Sequence, residues 1–291
     1  MKFAVFADIH GNYVALEKCV NYVLEKGIVN FIFLGDYIGE LAYPQRAMQM
    51  IYDIKEKYNC TFVRGNKEDY WLDYRGTEES NRFWKDNDST TGMLLYAYNN
   101  LTEADINFFE KMSIASKLKF DGCMPFTICH GSPYRTNEKM IIGSDRTKEI
   151  LENSDVELII YGHTHRQGKT EHKSRVVLNP GSLGVPLGSD GKAQFLILES
   201  TESGWQEEFV SLEYDVDAVI ADMEADNLFF HAPSWSKSTE RLLSNGRVSN
   251  GAVLGRAMEL CKQETGECNW PDIPEKYWEK ALIETEKKLI F

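Results

Sequence analysis

Short apolar runs alternate with amphipathic stretches through roughly the first two hundred residues. Phe3 to Ala7, Phe31 to Leu34, Thr61 to Val63, Phe126 to Cys129, Glu157 to Tyr161, Val176 to Leu178 and Gln194 to Leu198 are brief, rich in β-branched or aromatic residues, and read as strands. Val14, Leu16, Val20, Val23 and Leu24 fall mostly on one face of a helix from Tyr13 to Glu25, and Gly27 follows as a stop. Pro44 opens a second helix to about Lys57, and Thr102 is an N-cap for a third to about Met112. This alternation predicts an α/β fold, because a strand needs a crossover to reach a parallel neighbour.

The polar stretch 76–91 reads as a loop or insertion. After Tyr214 the texture changes: Val216, Val219, Ile220 and Met223 keep helical spacing, and 236–244, 250–264 and 274–288 also read as helices. The expected organisation is a main domain over 1–213 and a mostly helical C-terminal extension over 214–291, packed on or near it. There is no internal repeat and no low-complexity segment.

Composition narrows the function classes. Hydrophobic residues at 43% and charged residues at 26% fit a globular chain. The formal net charge of −13 argues against a stable nucleic-acid complex, since phosphates would meet a repelling surface. Small anions remain compatible, because bound divalent cations reverse the local sign of a cleft. The N-terminal MKFAVFAD runs straight into a strand without an apolar leader, and no run approaches the roughly 18 to 20 apolar residues of a membrane span. A cytoplasmic location without membrane contact is expected. Cys19, Cys60, Cys123, Cys129, Cys261 and Cys268 include no C-x-x-C pair and read as free thiols. Nothing in the sequence fixes the oligomeric state.

The chemistry gathers where strands end. Asp8-Ile9-His10, Gly35-Asp36, Gly65-Asn66 and His130-Gly131 follow four predicted strands, and Gly162-His163-Thr164-His165 follows the strand ending at Tyr161. In an open α/β sheet, ligands bind outside the carboxyl ends of strands, so these residues are expected to converge. Imidazole suits zinc, iron and manganese, while carboxylate and amide oxygens complete their shells, so the set points to a pair of divalent transition metals. In extended backbone, Asp8 and His10 would project to one side, as would His163 and His165. Glycines at 35, 65, 131 and 162 permit sharp turns there.

Several residues carry two readings. Asn12 is either a substrate contact or the N-cap of the next helix, and Asn179-Pro180-Gly181-Ser182 either a turn or a cleft lining. Glu68 and Asp69 read as a solvated charge run, whereas Lys67 adjoins a proposed ligand and is placed in the cleft. His172 and His231 read as ordinary polar residues. Phe229, Phe230, Trp235, Trp270, Tyr277 and Trp278 read as packing aromatics, with a lid, partner surface or substrate platform as alternatives.

In this order the five blocks resemble the calcineurin-like metallophosphoesterases, whose pattern is D-x-H, G-D, G-N, H and G-H-x-H, and the likeness continues through Asn179-Pro180-Gly181-Ser182. It is greatest to the small bacterial phosphodiesterase branch. The resemblance implies a sandwich of two mixed sheets flanked by helices. It also implies that Asp8, His10 and His165 hold one metal, that Asn66, His130 and His163 hold the other, and that Asp36 bridges them. Manganese, iron, zinc and nickel all suit such a set. The implied reaction is hydrolysis of a small, nucleotide-like phosphodiester by a metal-bridging hydroxide, with Asp36, Asn66, His130 and Lys67 as the catalytic residues.

Two departures bear on substrate. Many members carry histidine directly after G-N, where this chain has Lys67; an amine of pKa near 10.4 is a poor general acid, which predicts weak hydrolysis of esters with poor leaving groups. The protein phosphatase branch has an arginine shortly after G-D, where this chain reads Tyr37-Ile38-Gly39-Glu40, although Arg64 precedes Gly65 much as it does there. A phosphodiesterase therefore ranks ahead of a phosphomonoesterase or protein phosphatase. A weakly catalytic protein-binding scaffold ranks below both, since missing ligands would favour it and none is missing.

Overall fold

The structure, a computed structural model, describes residues 1–79 and 83–287. In chain order it runs β1 (Lys2–Phe6), α1 (Tyr13–Glu25), β2 (Asn30–Phe33), α2 (Pro44–Lys57), β3 (Asn59–Phe62), α3 (Asn66–Gly76), α4 (Gly92–Asn99) and α5 (Glu103–Glu110). Next come β4 (Ala115–Leu118), β5 (Phe126–Cys129), α6 (Asp145–Glu152), β6 (Leu158–Ile160), β7 (Gly168–His172), β8 (Arg175–Asn179), β9 (Ala193–Thr201) and β10 (Gly204–Leu212). The remainder is helical: α7 (Val216–Ala225), α8 (Leu228–His231), α9 (Pro233–Asn245), α10 (Asn250–Thr265) and α11 (Glu275–Lys287).

The strands form two five-stranded mixed sheets, ordered β10-β9-β1-β2-β3 and β4-β5-β6-β8-β7. In the first, β1, β2 and β3 are parallel and β9 runs against β1. In the second, β5, β6 and β8 are parallel, with β4 and β7 antiparallel at the edges. This is the expected two-sheet α/β sandwich flanked by helices, with helices at its C-terminal end.

Alternation within β1 shows why the sheets stack. Phe3, Val5 and Ala7 point into the layer between sheets, against Phe126, Ile128, Leu158 and Ile160. Ala4 and Phe6 point the other way, onto Ala15, Leu16 and Cys19 of α1. Both faces are covered, so the strand reads as a continuous apolar run. On the outer face of the second sheet, Cys129, Ile159 and Val177 pack against Ile150 and Leu151 of α6. All six cysteines are free.

The sequence reading missed α3, α4, α6 and α8 and the strands β4, β7 and β10, and started the third strand two residues late. All but α3 and β10 are of eight residues or fewer, β10 lies at a sheet edge where polar residues dilute the period, and α3 buries only Asn66, Glu68 and Trp71, which make no apolar stripe. The loop expected over 76–91 has residues 80–82 outside the described set, and its remainder is built into the fold. Trp84 stacks on Tyr74 with ring centroids 3.9 Å apart, and Ser89, Thr90 and Thr91 are buried. Asp88 Oδ1 accepts from the Thr90 and Thr91 amides at 3.0 and 2.7 Å, fixing the start of α4. Residue 288, the expected end of the last helix, also lies outside the described set.

The C-terminal helices have two attachments. Met223, Leu228, Leu242 and Leu243 share a core with Leu41, Ala42 and Val185, which lie in loops beside the strand ends. Tyr277 and Trp278 are buried against Val253, Ala257 and Ala281, and Trp278 Nε1 donates to Thr90 Oγ1 at 3.0 Å. Phe230 and Trp270 remain exposed. No described helix is long and apolar enough to cross a membrane.

Candidate metal centre

The parallel strands deliver their following residues to one crevice. Asp8 and His10 follow β1, Asp36 follows β2, Asn66 and Lys67 open α3 beyond β3, His130 follows β5, and His163 and His165 follow β6. The structure brings all eight together.

The backbone does this differently from the extended geometry expected of the D-x-H and H-x-H pairs. Asp8, His10, Asp36, His163 and His165 have φ of 54°, 51°, 52°, 64° and 55°, in the left-handed region. Asp and His tolerate this region better than most side chains, and residues held there cluster at functional sites. The turns rather than strand alternation aim the donors inward. Gly65 serves by close approach: a Cβ there would lie 2.2 Å from Asp36 Oδ1.

Two donor groups meet at Asp8 and Asp36. His10 Nε2 and His165 Nε2 are 3.2 Å apart, and Asp8 Oδ1 lies 3.9 and 3.3 Å from them. On the other side His130 Nε2 lies 3.4 Å from Asp36 Oδ1 and 3.1 Å from Asn66 Oδ1. Asp36 Oδ2 faces His10 Nε2 at 3.7 Å, so its two oxygens face different imidazoles. Asp8, His10 and His165, and separately Asp8, Asp36 and His130, offer donors all within 4.8 Å of one another.

The imidazoles are held as metal ligands are, through the nitrogen that faces away. His130 Nδ1 donates to the Leu34 carbonyl at 2.7 Å and His165 Nδ1 to the Val185 carbonyl at 3.1 Å, while His10 Nδ1 abuts the Glu40 carboxylate. Each ring keeps a lone pair on Nε2 toward the cluster. His163 Nε2 is buried with no hydrogen-bond partner, an orphan that a bound ion would satisfy. The residues present thus fit divalent metal ions.

Around them stands a set of anchors that the sequence reading only partly caught. Glu68, read there as solvated, is fully buried and accepts from the Gly65, Asp36 and Tyr37 amides at 2.6, 2.9 and 3.0 Å. It ties the loop after β3 to the loop after β2. Asp69 is likewise engaged, by Arg64 Nε and Thr136 Oγ1, each at 2.6 Å. Asn12 is an N-cap, accepting from the Ala15 amide at 3.0 Å and donating to the Gly184 carbonyl at 2.9 Å. Asn179 and Ser182 are buried behind the cluster, donating to the Gly162 and Asp8 carbonyls at 2.8 and 2.7 Å. His172 pairs with Glu152, and His231 with Asp86, away from the cluster.

Lys67 lies at the cluster's edge with its side chain 12% exposed, and its Nζ is 2.8 Å from Glu40 Oε1. The same Nζ sits 5.5 Å from the ring centre of Trp235, so α9 reaches the site. Burial opposes the charge on Lys67, but Glu40 and Asp36 prevail and raise its pKa. Burial likewise opposes ionisation of Glu40, yet His10 and Lys67 hold its carboxyl far below the usual range. Sequence had one available signal for Glu40, an acid four residues after Asp36.

Burial, then the neighbouring His130, lower the His163 pKa to about 3. The unfolded chain, with histidine near 6.5, therefore binds more protons than the fold between those values, and stability is lost as pH falls from about 6.5. In chelator, His163→Gln should flatten this acid limb, with a change on the order of a few kcal/mol between pH 7 and 4 read by urea denaturation. An unchanged limb would mean that His163 is not buried as a neutral ring.

Comparison with known proteins bears on the fold and on the family. The structure of PH1004, a hypothetical protein from Pyrococcus horikoshii OT3, is similar over 85% of this chain and 99% of that one, with TM-score 0.70 and 18% identity. A metallophosphoesterase from Sphaerobacter thermophilus is similar over 84% and 99%, with TM-score 0.64 and 20% identity. In sequence, the uncharacterized protein MJ0912 of Methanocaldococcus jannaschii is 26% identical over 228 residues, covering 73% of this chain and 88% of its own. At these identities the solved structures speak to fold. The calcineurin-like phosphoesterase superfamily domain matches residues 1–203, a span containing every residue of the cluster, and the chain belongs to that superfamily.

Proposed function

We propose that the chain hydrolyses a phosphodiester, with Asp8, His10 and His165 on one ion, Asn66, His130 and His163 on the other, and Asp36 between them. The observation that carries this reading is Asp36 itself, whose Oδ2 faces His10 at 3.7 Å and whose Oδ1 faces His130 at 3.4 Å. When bound, two such ions lower the pKa of water and polarise phosphoryl oxygens. Manganese, iron, zinc and nickel all suit these donors.

The chain's own residues orient the site. The Nδ1 contacts of His10, His130 and His165 fix their rings, and Glu68 fixes the two loops that carry Asp36 and Asn66. Lys67 supplies positive charge at the rim, but Glu40 keeps its proton in place. Esters with good leaving groups are therefore the expected substrates, since Lys67 is poorly suited to protonate a departing alkoxide. We place the enzyme in the cytoplasm, acting on small esters without a lasting nucleic-acid complex, in line with the net charge of −13.

The test is metal-stripped protein refilled with manganese, assayed on matched chromogenic diester and monoester, in parallel with His163→Ala. Diester turnover that needs metal and is lost in the variant supports the reading. Monoester turnover exceeding diester turnover would replace it with a phosphomonoesterase. No turnover despite two bound ions would leave a scaffold.

A further inference from the structure

Two clefts lie beside the loops that carry the cluster, one reaching Asn66 and the other lined by the residues on either side of His165. The first, of about 320 Å³, is lined by Asn66, Tyr134 and Arg135 among others. The second, of about 550 Å³, runs past Thr164 and Arg166, which flank His165, to Ile141 and Ile142. The segment after β5 walls both, with Tyr134 and Arg135 in one and the two isoleucines in the other.

Each cleft holds a guanidinium that makes no hydrogen bond or close ion pair among the described residues, although Glu138 attracts Arg135 from beyond ion-pair distance. In a chain with 45 acids and 32 bases, arginines find carboxylates readily, as Arg46, Arg64, Arg146 and Arg256 do. Arg135, Arg166 and Arg247 are the described arginines whose side chains make no hydrogen bond or ion pair among the described residues. Two of these three line the clefts.

Their backbones are nonetheless fixed. Ser132 Oγ accepts from the Tyr134 and Arg135 amides, each at 3.2 Å, and the Ser132 amide donates to the Arg135 carbonyl at 2.9 Å. Arg166 lies between His165, whose carbonyl accepts from the Leu187 amide at 3.0 Å, and Gln167, whose side-chain Nε2 shares its two hydrogens among the Pro180, Phe195 and Val210 carbonyls at 3.0, 3.1 and 3.1 Å. Both thus project a guanidinium without a close ion-pair partner from rigid backbone, Arg135 in the cleft that reaches Asn66 and Arg166 next to His165 in the chain. Tyr134, 53% exposed, adds an aromatic face next to Arg135.

We propose that the substrate is a short oligonucleotide-type diester that crosses the cluster, its flanking anionic groups paired with Arg135 and Arg166 and a base stacked on Tyr134. Guanidinium groups suit phosphate oxygens, and base stacking on an aromatic ring is indifferent to sequence. Two isolated cations in an acidic protein give a grip of a few nucleotides rather than a long tract. This rests on the diester reading and extends it, because a small uncharged-arm diester would satisfy that reading without either arginine.

The experiment compares native protein, Arg135→Ala and Arg166→Ala, all loaded with manganese, on bis(p-nitrophenyl) phosphate and on a trinucleotide. Anisotropy of a labelled phosphorothioate trinucleotide gives binding independently of turnover. Each variant should lose about tenfold or more in trinucleotide kcat/KM and affinity, as expected for a charged hydrogen bond, and keep native turnover of the chromogenic diester. Undiminished trinucleotide binding and turnover in both variants, or equal losses on both substrates, would overturn the proposal. So would failure of the native protein to bind the trinucleotide. If neither ester is cleaved yet binding falls in both variants, the recognition stands and the hydrolytic reading fails.

Discussion

Asp36→Asn is expected to lower metal-dependent diester turnover by more than about a hundredfold, because loss of an outer-shell partner alone costs about 10–100-fold and Asp36 faces both donor groups directly. The fold should survive. Asn tolerates the φ of 52° at this position, and its side-chain oxygen can still accept from the Lys67 amide, now 2.9 Å from Asp36 Oδ1. In chelator the variant should be the more stable protein at pH 7. Burial first, and then the charge of Asp8, push the Asp36 carboxyl up, against the attraction of His10 and Lys67. A raised folded pKa means that ionisation weakens the fold as pH climbs past the unfolded value near 3.9, and Asn removes that loss. The advantage should close at pH 4. Kinetics with manganese and urea denaturation in chelator check both halves; turnover within tenfold of native would remove Asp36 from the chemistry.

Glu68→Ala should destabilise the protein by at least about 3 kcal/mol, since it strands three buried amide donors at about 1–3 kcal/mol each. The amides are those of Gly65, Asp36 and Tyr37, and the Lys67 amide on Asp36 Oδ1 and the Tyr37 hydroxyl on the Val63 carbonyl, which also tie these loops, leave those three donors without a substitute acceptor. Activity should fall with stability, because Asn66 and Asp36 ride on those loops. Glu68→Gln keeps one acceptor oxygen and should fall between the two. The shift belongs in the denaturation midpoint at unchanged slope. A loss below about 1 kcal/mol would show that water replaces the carboxylate without penalty.

The contrast between these two acids explains what the sequence discloses. Asp36 stands at a strand end beside glycine, in a series of similar blocks, and it meets His130 and His163 because the two stacked sheets bring the carboxyl ends of β2 in one and of β5 and β6 in the other to the same crevice. Glu68 looks like any acid in Lys67-Glu68-Asp69, and its meaning depends on a loop thirty residues earlier. Its one local signature is position: three residues past Gly65, at the site from which a side chain caps a helix start. That helix went unread because its first turn is charged and Trp71 is among its few buried residues. Glu40 was hidden similarly, since its partners His10 and Lys67 come from two other strand ends. Core strands such as β1 and β6 were legible because burial on both faces leaves continuous apolar runs, whereas β7 and β10, at the sheet edges, mix in lysine, glutamate and glutamine.

The left-handed backbone at Asp8, His10, Asp36, His163 and His165 reaches beyond catalysis. Such conformations cost up to about 1–3 kcal/mol each, in folds whose entire stability is commonly about 5–15 kcal/mol. Ligands that bind only the folded chain repay such a deficit in proportion to the logarithm of their free concentration. Under the two-ion reading, a cell short of the preferred metal would hold copies that open more often and meet proteases sooner. The amount of this protein in the cell would then follow metal supply even with synthesis held constant.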